Sequence, residues 1–264
     1  KIKQTNTNWD FSLITSKKLS KHKKINHFFL NKIGGKSNGI YATLNCGYGS
    51  KDKKNNVSKN LKIAKNKIGK NSKSIFLMHQ THSNKVVFIH KNFKFAKRVN
   101  ADAVVTDQKK IPIATLTADC VPILIYEKKR NLIAAIHAGW KGAFKGIIKK
   151  VITLMSNKGC QKKHIIAAIG PCIQEKNYEV KEDLLKKFLK KNKKNKIFFK
   201  KKKNKIYFNL PNFVKSQLRI NKITNIDTIK IDTFDEKNNF FSARRSLHLK
   251  HDDYGRNISI IMIN

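Results

Sequence analysis

The stretch Ile111-Pro112-Ile113-Ala114-Thr115-Leu116-Thr117-Ala118-Asp119-Cys120-Val121-Pro122-Ile123-Leu124-Ile125-Tyr126-Glu127-Lys128-Lys129-Arg130-Asn131-Leu132-Ile133-Ala134-Ala135-Ile136-His137 decides how this chain folds. Its apolar runs, Ile111–Leu116, Val121–Tyr126 and Leu132–Ile136, have strand length, and they read as buried strands. The last two are joined by the polar turn Glu127-Lys128-Lys129-Arg130. Around a turn of that length, the expected antiparallel register sets Cys120 directly opposite His137, with Cβ atoms about 4.5–5.5 Å apart on one face. A thiolate and an imidazole at that separation can share Zn²⁺, with bonds of about 2.3 and 2.0–2.1 Å.

Two ligands leave a metal exchangeable. For a third, His82 in His79-Gln80-Thr81-His82-Ser83 is the best candidate by residue type. A His/Cys/His set keeps one tetrahedral position open for water or substrate. Spacing alone leaves the bland alternative open: Cys120 as a buried small hydrophobe and His137 as a satisfied core histidine.

Outward from this core, Ala138-Gly139-Trp140-Lys141-Gly142 leads into a helix whose apolar spacing runs through Ile147, Ile148, Val151 and Ile152 to Met155. Small residues at such a turn expose backbone N–H groups to an anion. Ile75–Met78 and Lys85–Ile89 read as strands flanking the His79–Ser83 segment, and Val57–Ile68 as a helix capped by Gly69. Ile165–Ile169 is a strand stopped by Gly170-Pro171, Glu182–Leu189 is helical, and Asn257–Ile263 alternates Ile258, Ile260 and Met262. With no repeat and no Pro/Gly/Ser linker, one mixed domain over residues 1–264 is the economical organisation.

The 264 residues carry 58 Lys+Arg against 16 Asp+Glu, a formal charge of +42 that invites a nucleic-acid reading. The densest tract, Lys186–Lys205, interleaves Phe188, Leu189, Ile197, Phe198 and Phe199, as an amphipathic helix running into a strand would. Lys is abundant together with Asn and Ile, all spelled by A/T-rich codons, so drift on a solvated face accounts for the excess. No helix-turn-helix, zinc-finger or RNP pattern accompanies it, and charge alone supports only non-specific attraction to phosphates. A hydrophobic fraction of 40% argues against global disorder, and no apolar run reaches the roughly 20 residues of a membrane span. The polar Lys1–Asp10 stretch shows no secretory signal. Cys46, Cys120, Cys160 and Cys172 form no CxxC pair and no disulfide framework, so the cytoplasm is the expected compartment.

Several ordered motifs then resemble one family. They are Met78-His79-Gln80-Thr81-His82-Ser83, Ala101-Asp102-Ala103-Val104-Val105-Thr106, Thr117-Ala118-Asp119-Cys120-Val121-Pro122, His137-Ala138-Gly139-Trp140-Lys141-Gly142 and Ile169-Gly170-Pro171-Cys172-Ile173 with Tyr178-Glu179-Val180. Gly34-Gly35-Lys36-Ser37 and Leu44-Asn45-Cys46-Gly47 extend the likeness toward the start. Phe240-Phe241-Ser242-Ala243-Arg244-Arg245 and Tyr254-Gly255-Arg256 extend it toward the end. Together they resemble the laccase-domain family, also named multicopper polyphenol oxidoreductase, peptidoglycan-editing factor and purine nucleoside phosphorylase.

The resemblance implies an α+β fold, a single compact domain of mixed β-sheets covered by helices, with a metal (zinc or copper) on His82, Cys120 and His137. It implies phosphorolysis of adenosine, inosine, guanosine and S-methyl-5'-thioadenosine, with an adenosine deaminase side activity. The partners would be nucleosides and phosphate, with no specific nucleic acid, no membrane, and a monomer or homodimer as the assembly. A copper-dependent polyphenol oxidase and a basic polyanion-binding protein are the alternatives. Nine scattered histidines suit a multicopper centre poorly. On this reading Arg244, Arg245 and Arg256 are anion clamps, and Asn45 binds ribose or base. Gly139 and Lys141 hold phosphate, while Asp119 orients a ligand, acts as a base or simply caps a turn. Cys46, Cys160 and Cys172 pack as small hydrophobes. Lys32, Lys141 and Leu61 stand where the family usually has Arg, and Lys keeps the charge but not the planar fork.

Overall fold

In a computed structural model, residues 13–93 and 99–264 are described; the polar Lys1–Asp10 stretch lies outside them. The first half contains β1 (Leu13–Ile14), β2 (Ile25–Leu30), α1 (Lys54–Ile68), β3 (Phe76–Leu77), β4 (Val86–Ile89) and β5 (Ala103–Thr106). The apolar centre supplies β6 (Ile113–Thr117), β7 (Val121–Glu127) and β8 (Leu132–Ala138), followed by α2 (Trp140–Phe144), α3 (Ile147–Asn157) and β9 (Ile165–Ile169). Then come β10 (Glu179–Val180), α4 (Glu182–Lys191), β11 (Phe199–Lys202), β12 (Lys205–Phe208), α5 (Leu210–Ile220), β13 (Ile226–Thr228), α6 (Ala243–His248) and β14 (Asn257–Ile263).

Two mixed sheets make the body, with strand orders β1-β2-β14-β6-β3 and β13-β9-β7-β8-β5-β4. A small sheet, β10-β12-β11, stands apart from them. Both large sheets are covered on both faces, which explains why their strands read as unbroken apolar runs. Along β7, Val121, Ile123 and Ile125 join the cluster that includes Ile147, Ile148, Val151 and Ile152 of α3 and Val214 and Leu218 of α5. Leu124 and Tyr126 face the other way, against Phe29, Ile113 and Ile261 of the second sheet. The outer face of that second sheet, with Ile258, Ile260 and Met262, packs on Ala64 and Ile68 of α1. Each fully buried Ile or Leu in these layers contributes about 1.5–3 kcal/mol of transfer free energy. The α+β class of one compact domain follows from this layering.

Two expectations need correction. The β7–β8 register pairs Pro122 with His137 and Val121 with Ala138, so Cys120 does not sit opposite His137. The turn is Lys128–Asn131 rather than Glu127–Arg130: Glu127 pairs with Leu132 inside the ladder. The buried Glu127 carboxylate accepts from the backbone N–H of Lys129 and Arg130, and Asn131 takes the left-handed conformation that closes the turn. A slip of two residues preserves which face each side chain occupies. The helix expected from Gly142 to Met155 is broken into α2 and α3 by Gly146, whose φ of 84° leaves the helical region.

In the lysine tract, α4 passes through a short 3₁₀ turn into β11. Its aromatic residues turn inward, Phe188 meeting Phe199 edge-on at 5.5 Å and Phe199 stacking on Phe208 at 4.6 Å. Most of its lysines are exposed.

Candidate metal centre

Three chain segments that end beside one another deliver the candidate ligands. His82 lies in the loop between β3 and β4 at a φ of 56°, Cys120 in the bend between β6 and β7, and His137 near the end of β8. Asp119, just before Cys120, has a φ of 83°, so the bend is left-handed and turns the thiol back toward His82. The ligand atoms of His82, Cys120 and His137 all lie within 4.8 Å of one another. Cys120 Sγ is 3.8 Å from His82 Nε2, and the two imidazoles meet edge-on with centroids 4.8 Å apart. Gly139 leaves room for them: a Cβ there would come within 2.8 Å of His82 Cδ2 and 2.9 Å of Cys120 Sγ. Two imidazoles and a thiolate at this spacing suit a tetrahedral ion with one position open.

Asp102, immediately before β5, is fully buried and organises two of the three ligands. Its carboxylate accepts from the backbone N–H of Thr81 (3.2 Å), His82 (3.0 Å) and Ser83 (2.6 Å) and from the Ser83 hydroxyl (2.6 Å). It also lies 2.8 Å from His137 Nδ1. Burial opposes its charge, but the hydrogen bonds from His137 and Ser83 outweigh burial and hold the carboxyl well below its usual range. Burial likewise opposes charge on His137 and Cys120. For His137 the nearby Cys120 and Asp102 prevail and raise it; for Cys120 the electrostatic pull of His137 and the hydrogen bonds with His137 and His82 prevail and lower it. Gln80 pins the same loop to β6, its amide donating to the Leu116 carbonyl (2.7 Å) and accepting from the Leu116 N–H (2.8 Å).

His82 and Cys120 form a wall shared by two lobes of a cleft, and His137 borders the smaller of them. One lobe, of ≈ 310 Å³, is lined by Tyr48, Met78, His79, Tyr254 and Arg256. The other, of ≈ 460 Å³, is lined by Trp140, Lys141, Tyr178, Arg244 and Tyr254. His82 and Cys120 border both. A larger cavity of ≈ 660 Å³ beside α1 and β3 has no His, Cys, Asp or Glu in its lining, so chemistry rather than size selects the site.

The other sequence candidates divide. Lys141 and Arg244 reach the larger lobe, Arg244 also donating to the Glu179 carbonyl and lying 5.4 Å over the Tyr178 ring. Arg256 borders the smaller lobe, 4.7 Å over Tyr254. Gly139 is buried at the cluster and precedes only the five-residue α2. Asp119 borders the larger lobe, yet its carboxylate is taken by Thr233 (2.7 Å), Ser242 (2.9 Å) and the Arg244 N–H (2.7 Å). Burial pushes its carboxyl up against these bonds.

Asn45 and Arg245 are not brought to the cleft. Asn45 is fully buried; its amide donates to Ser50 and Asp52 and accepts from the N–H of Gly47 and Arg256, which uses every position it has. The Arg245 guanidinium donates to the Thr233, Phe234 and Phe240 carbonyls. Lys32 and Leu61 border neither lobe, and the Lys32 carbonyl serves Thr43 and Leu44.

Asp102 and Gln80 are the organising residues that residue-type reasoning passed over. The available signal was a carboxylate opening a buried strand in a chain with only 16 acidic residues.

The same architecture occurs in known proteins. A purine nucleoside phosphorylase of Rickettsia conorii is 35% identical over 213 residues, 76% of this chain and 87% of that relative. One of Bacteroides thetaiotaomicron is 30% identical over 267 residues, 97% of each chain. The crystal structure of a Neisseria meningitidis protein superposes with a TM-score of 0.85 at 26% identity, covering 96% of this chain and 99% of that one. The family model described as multi-copper polyphenol oxidoreductase laccase matches residues 26–264, and the chain belongs to that family.

Proposed function

We propose that this chain is a metal-dependent purine nucleoside phosphorylase acting at the cleft beside His82, Cys120 and His137. It would convert adenosine, inosine, guanosine or S-methyl-5'-thioadenosine and phosphate to free base and pentose 1-phosphate, with adenosine deamination as a side activity. The observation that carries the reading is the His/Cys/His set, whose His82 and Cys120 stand on a wall shared by two lobes. Relatives that bear the phosphorylase name at 30–35% identity support it. Four free cysteines and no disulfide among the described residues agree with a cytoplasmic setting.

Phosphorolysis replaces the C1′–N bond by a C1′–O bond to phosphate, and the departing base takes the electron pair and a proton. The two lobes keep nucleophile and base on separate sides of the reacting carbon. Lys141 and Arg244 give the larger lobe cations that suit phosphate, beside Trp140 and Tyr178, while the smaller lobe sets Tyr48, Met78 and Tyr254, which suit a purine face, beside Arg256. Asp119 fixes the Arg244 backbone, and Asn45 fixes that of Arg256, so both act through the arginines they hold. A zinc ion on the three ligands would supply Lewis acidity toward a phosphate or substrate oxygen. A thiolate with two imidazoles suits zinc, and among the described residues this is the one such cluster, whereas multicopper oxidation needs several.

Release of hypoxanthine from inosine, followed with and without phosphate, tests the reading. Phosphate-dependent release supports it. Release that ignores phosphate, or oxygen uptake with phenols and no base release, overturns it.

A further inference from the structure

We infer that Asp102 is a positioning residue that sets which nitrogen of His137 faces the metal. The inference rests on the metal reading proposed above. A neutral imidazole carries one N–H and offers one lone pair, so a hydrogen bond at one nitrogen decides what the other can do. Asp102 Oδ1 lies 2.8 Å from His137 Nδ1, and an ionised carboxylate accepts only. Nδ1 therefore keeps its proton, and the Nε2 lone pair is left for a cation. The backbone closes the same unit, since the His137 N–H donates to the Asp102 carbonyl at 2.8 Å.

The opposite side of the carboxylate excludes substitution by an amide. Oδ2 accepts from Thr81 N–H, Ser83 N–H and the Ser83 hydroxyl, while Oδ1 also accepts from His82 N–H. An asparagine here must turn its NH₂ toward one of these groups. Facing Oδ2's partners, it opposes two backbone donors. Facing the Oδ1 side, it opposes only one, so that orientation wins, and the amide then donates to His137 Nδ1. The His137 proton is driven to Nε2, which removes the lone pair that a metal needs. Asp102→Ala, in contrast, leaves a space that water can enter and lets either tautomer form.

The consequence is an inverted ranking. An account in which Asp102 merely fills space makes the isosteric Asp102→Asn the milder change. Tautomer control makes it the worse one. The test is Co²⁺ binding to the metal-free protein, read by chelator competition and by the thiolate-to-cobalt absorption band of Cys120, with circular dichroism on each variant. Loss of a carboxylate partner behind a ligand weakens metal binding by about 10–100-fold. Asp102→Ala is expected in that range, and Asp102→Asn about another 10-fold weaker, with a diminished band. Asn equal to or tighter than Ala overturns the assignment, and a wild type that binds no Co²⁺ removes the metal reading together with it. Should Asp102→Asn not fold, ¹⁵N shifts of the zinc-loaded wild type decide: His137 protonated at Nδ1 and ligating through Nε2 supports the inference, and ligation through Nδ1 overturns it.

Discussion

The cleft and the lysine tract use charge in opposite ways. At the cleft a few ionisable groups are held in fixed contact, with buried Asp102 between His82's loop and buried His137, and half-buried Cys120 beside both histidines. In Lys186–Lys205 twelve lysines project from α4, β11, β12 and the turns between them, and one of them, Lys205, meets a carboxylate, Glu179 at 3.0 Å. Burial is what separates the two. Where solvent is excluded, neighbours shift a group's ionisation and fix its geometry; where water surrounds a lysine, screening leaves a diffuse field. The formal charge of +42 therefore says less about chemistry than three side chains on a loop, a bend and a strand.

The contrast can be broken most forcefully at the ligands. Cys120→Ala should reduce metal affinity at least about 100-fold and bring base release to below roughly one-hundredth of wild type while the circular dichroism spectrum is kept. Neutralising Lys200–Lys203 to Gln should leave base release within about twofold, and any effect should fade with salt. If the lysine variant proves as damaging as Cys120→Ala, the contrast fails.

Away from both regions, Leu124→Ala in the layer between the sheets should lower the unfolding free energy by about 2–5 kcal/mol in urea titration, because Leu124 is fully buried.

A third expectation concerns His27, buried in β2, whose Nε2 accepts from the Ser16 N–H at 2.8 Å. Burial lowers its pKa from 6.5 to about 4, outweighing the pull of Asp227. A depressed histidine stabilises the fold while neutral, so its contribution is complete above pH 6.5 and is lost as pH falls toward 4. The loss is roughly 3 kcal/mol by linkage. Urea midpoints from pH 7 to 4 should fall in wild type and fall less in His27→Gln.

The cysteines sharpen the comparison with the smallest perturbation. Burial pushes Cys46, Cys160 and Cys172 up, Cys160 to about 12, whereas His137 and His82 hold Cys120 down despite its burial. Iodoacetamide should modify metal-free protein at Cys120 at least about 100-fold faster than at the other three, as peptide mass mapping would show. Bound metal should suppress that reaction.

Much of this was legible in the residues because buried strands announce themselves. Val121–Tyr126 and Leu132–Ile136 are apolar throughout, and β14 shows its alternation through Ile258, Ile260 and Met262. What escaped rests partly on local backbone chemistry and partly on contacts distant in sequence. The register turned on whether Glu127 or Asn131 belonged to the turn, a choice made by the buried Glu127 carboxylate capping two N–H groups. The break at Gly146 lies inside an apolar period that one glycine does not visibly interrupt. Asn45 and Arg245 look like ligand-binding residues by type, but residues 2 to 211 positions away consume their hydrogen bonds. His82, Cys120 and His137 meet despite the different register because a slip of two residues keeps Cys120 and His137 on one face, and the left-handed bend at Asp119 completes the approach.

The central claim, that the His/Cys/His cleft is the catalytic centre of a phosphate-dependent reaction, has one direct test. Bound metal and hypoxanthine release from inosine are measured in the same preparation of wild type and Cys120→Ala, with and without phosphate. The account predicts close to one metal ion per wild-type chain, release only when phosphate is present, and neither metal nor release in the variant. Undiminished phosphate-dependent release by metal-free Cys120→Ala would contradict it.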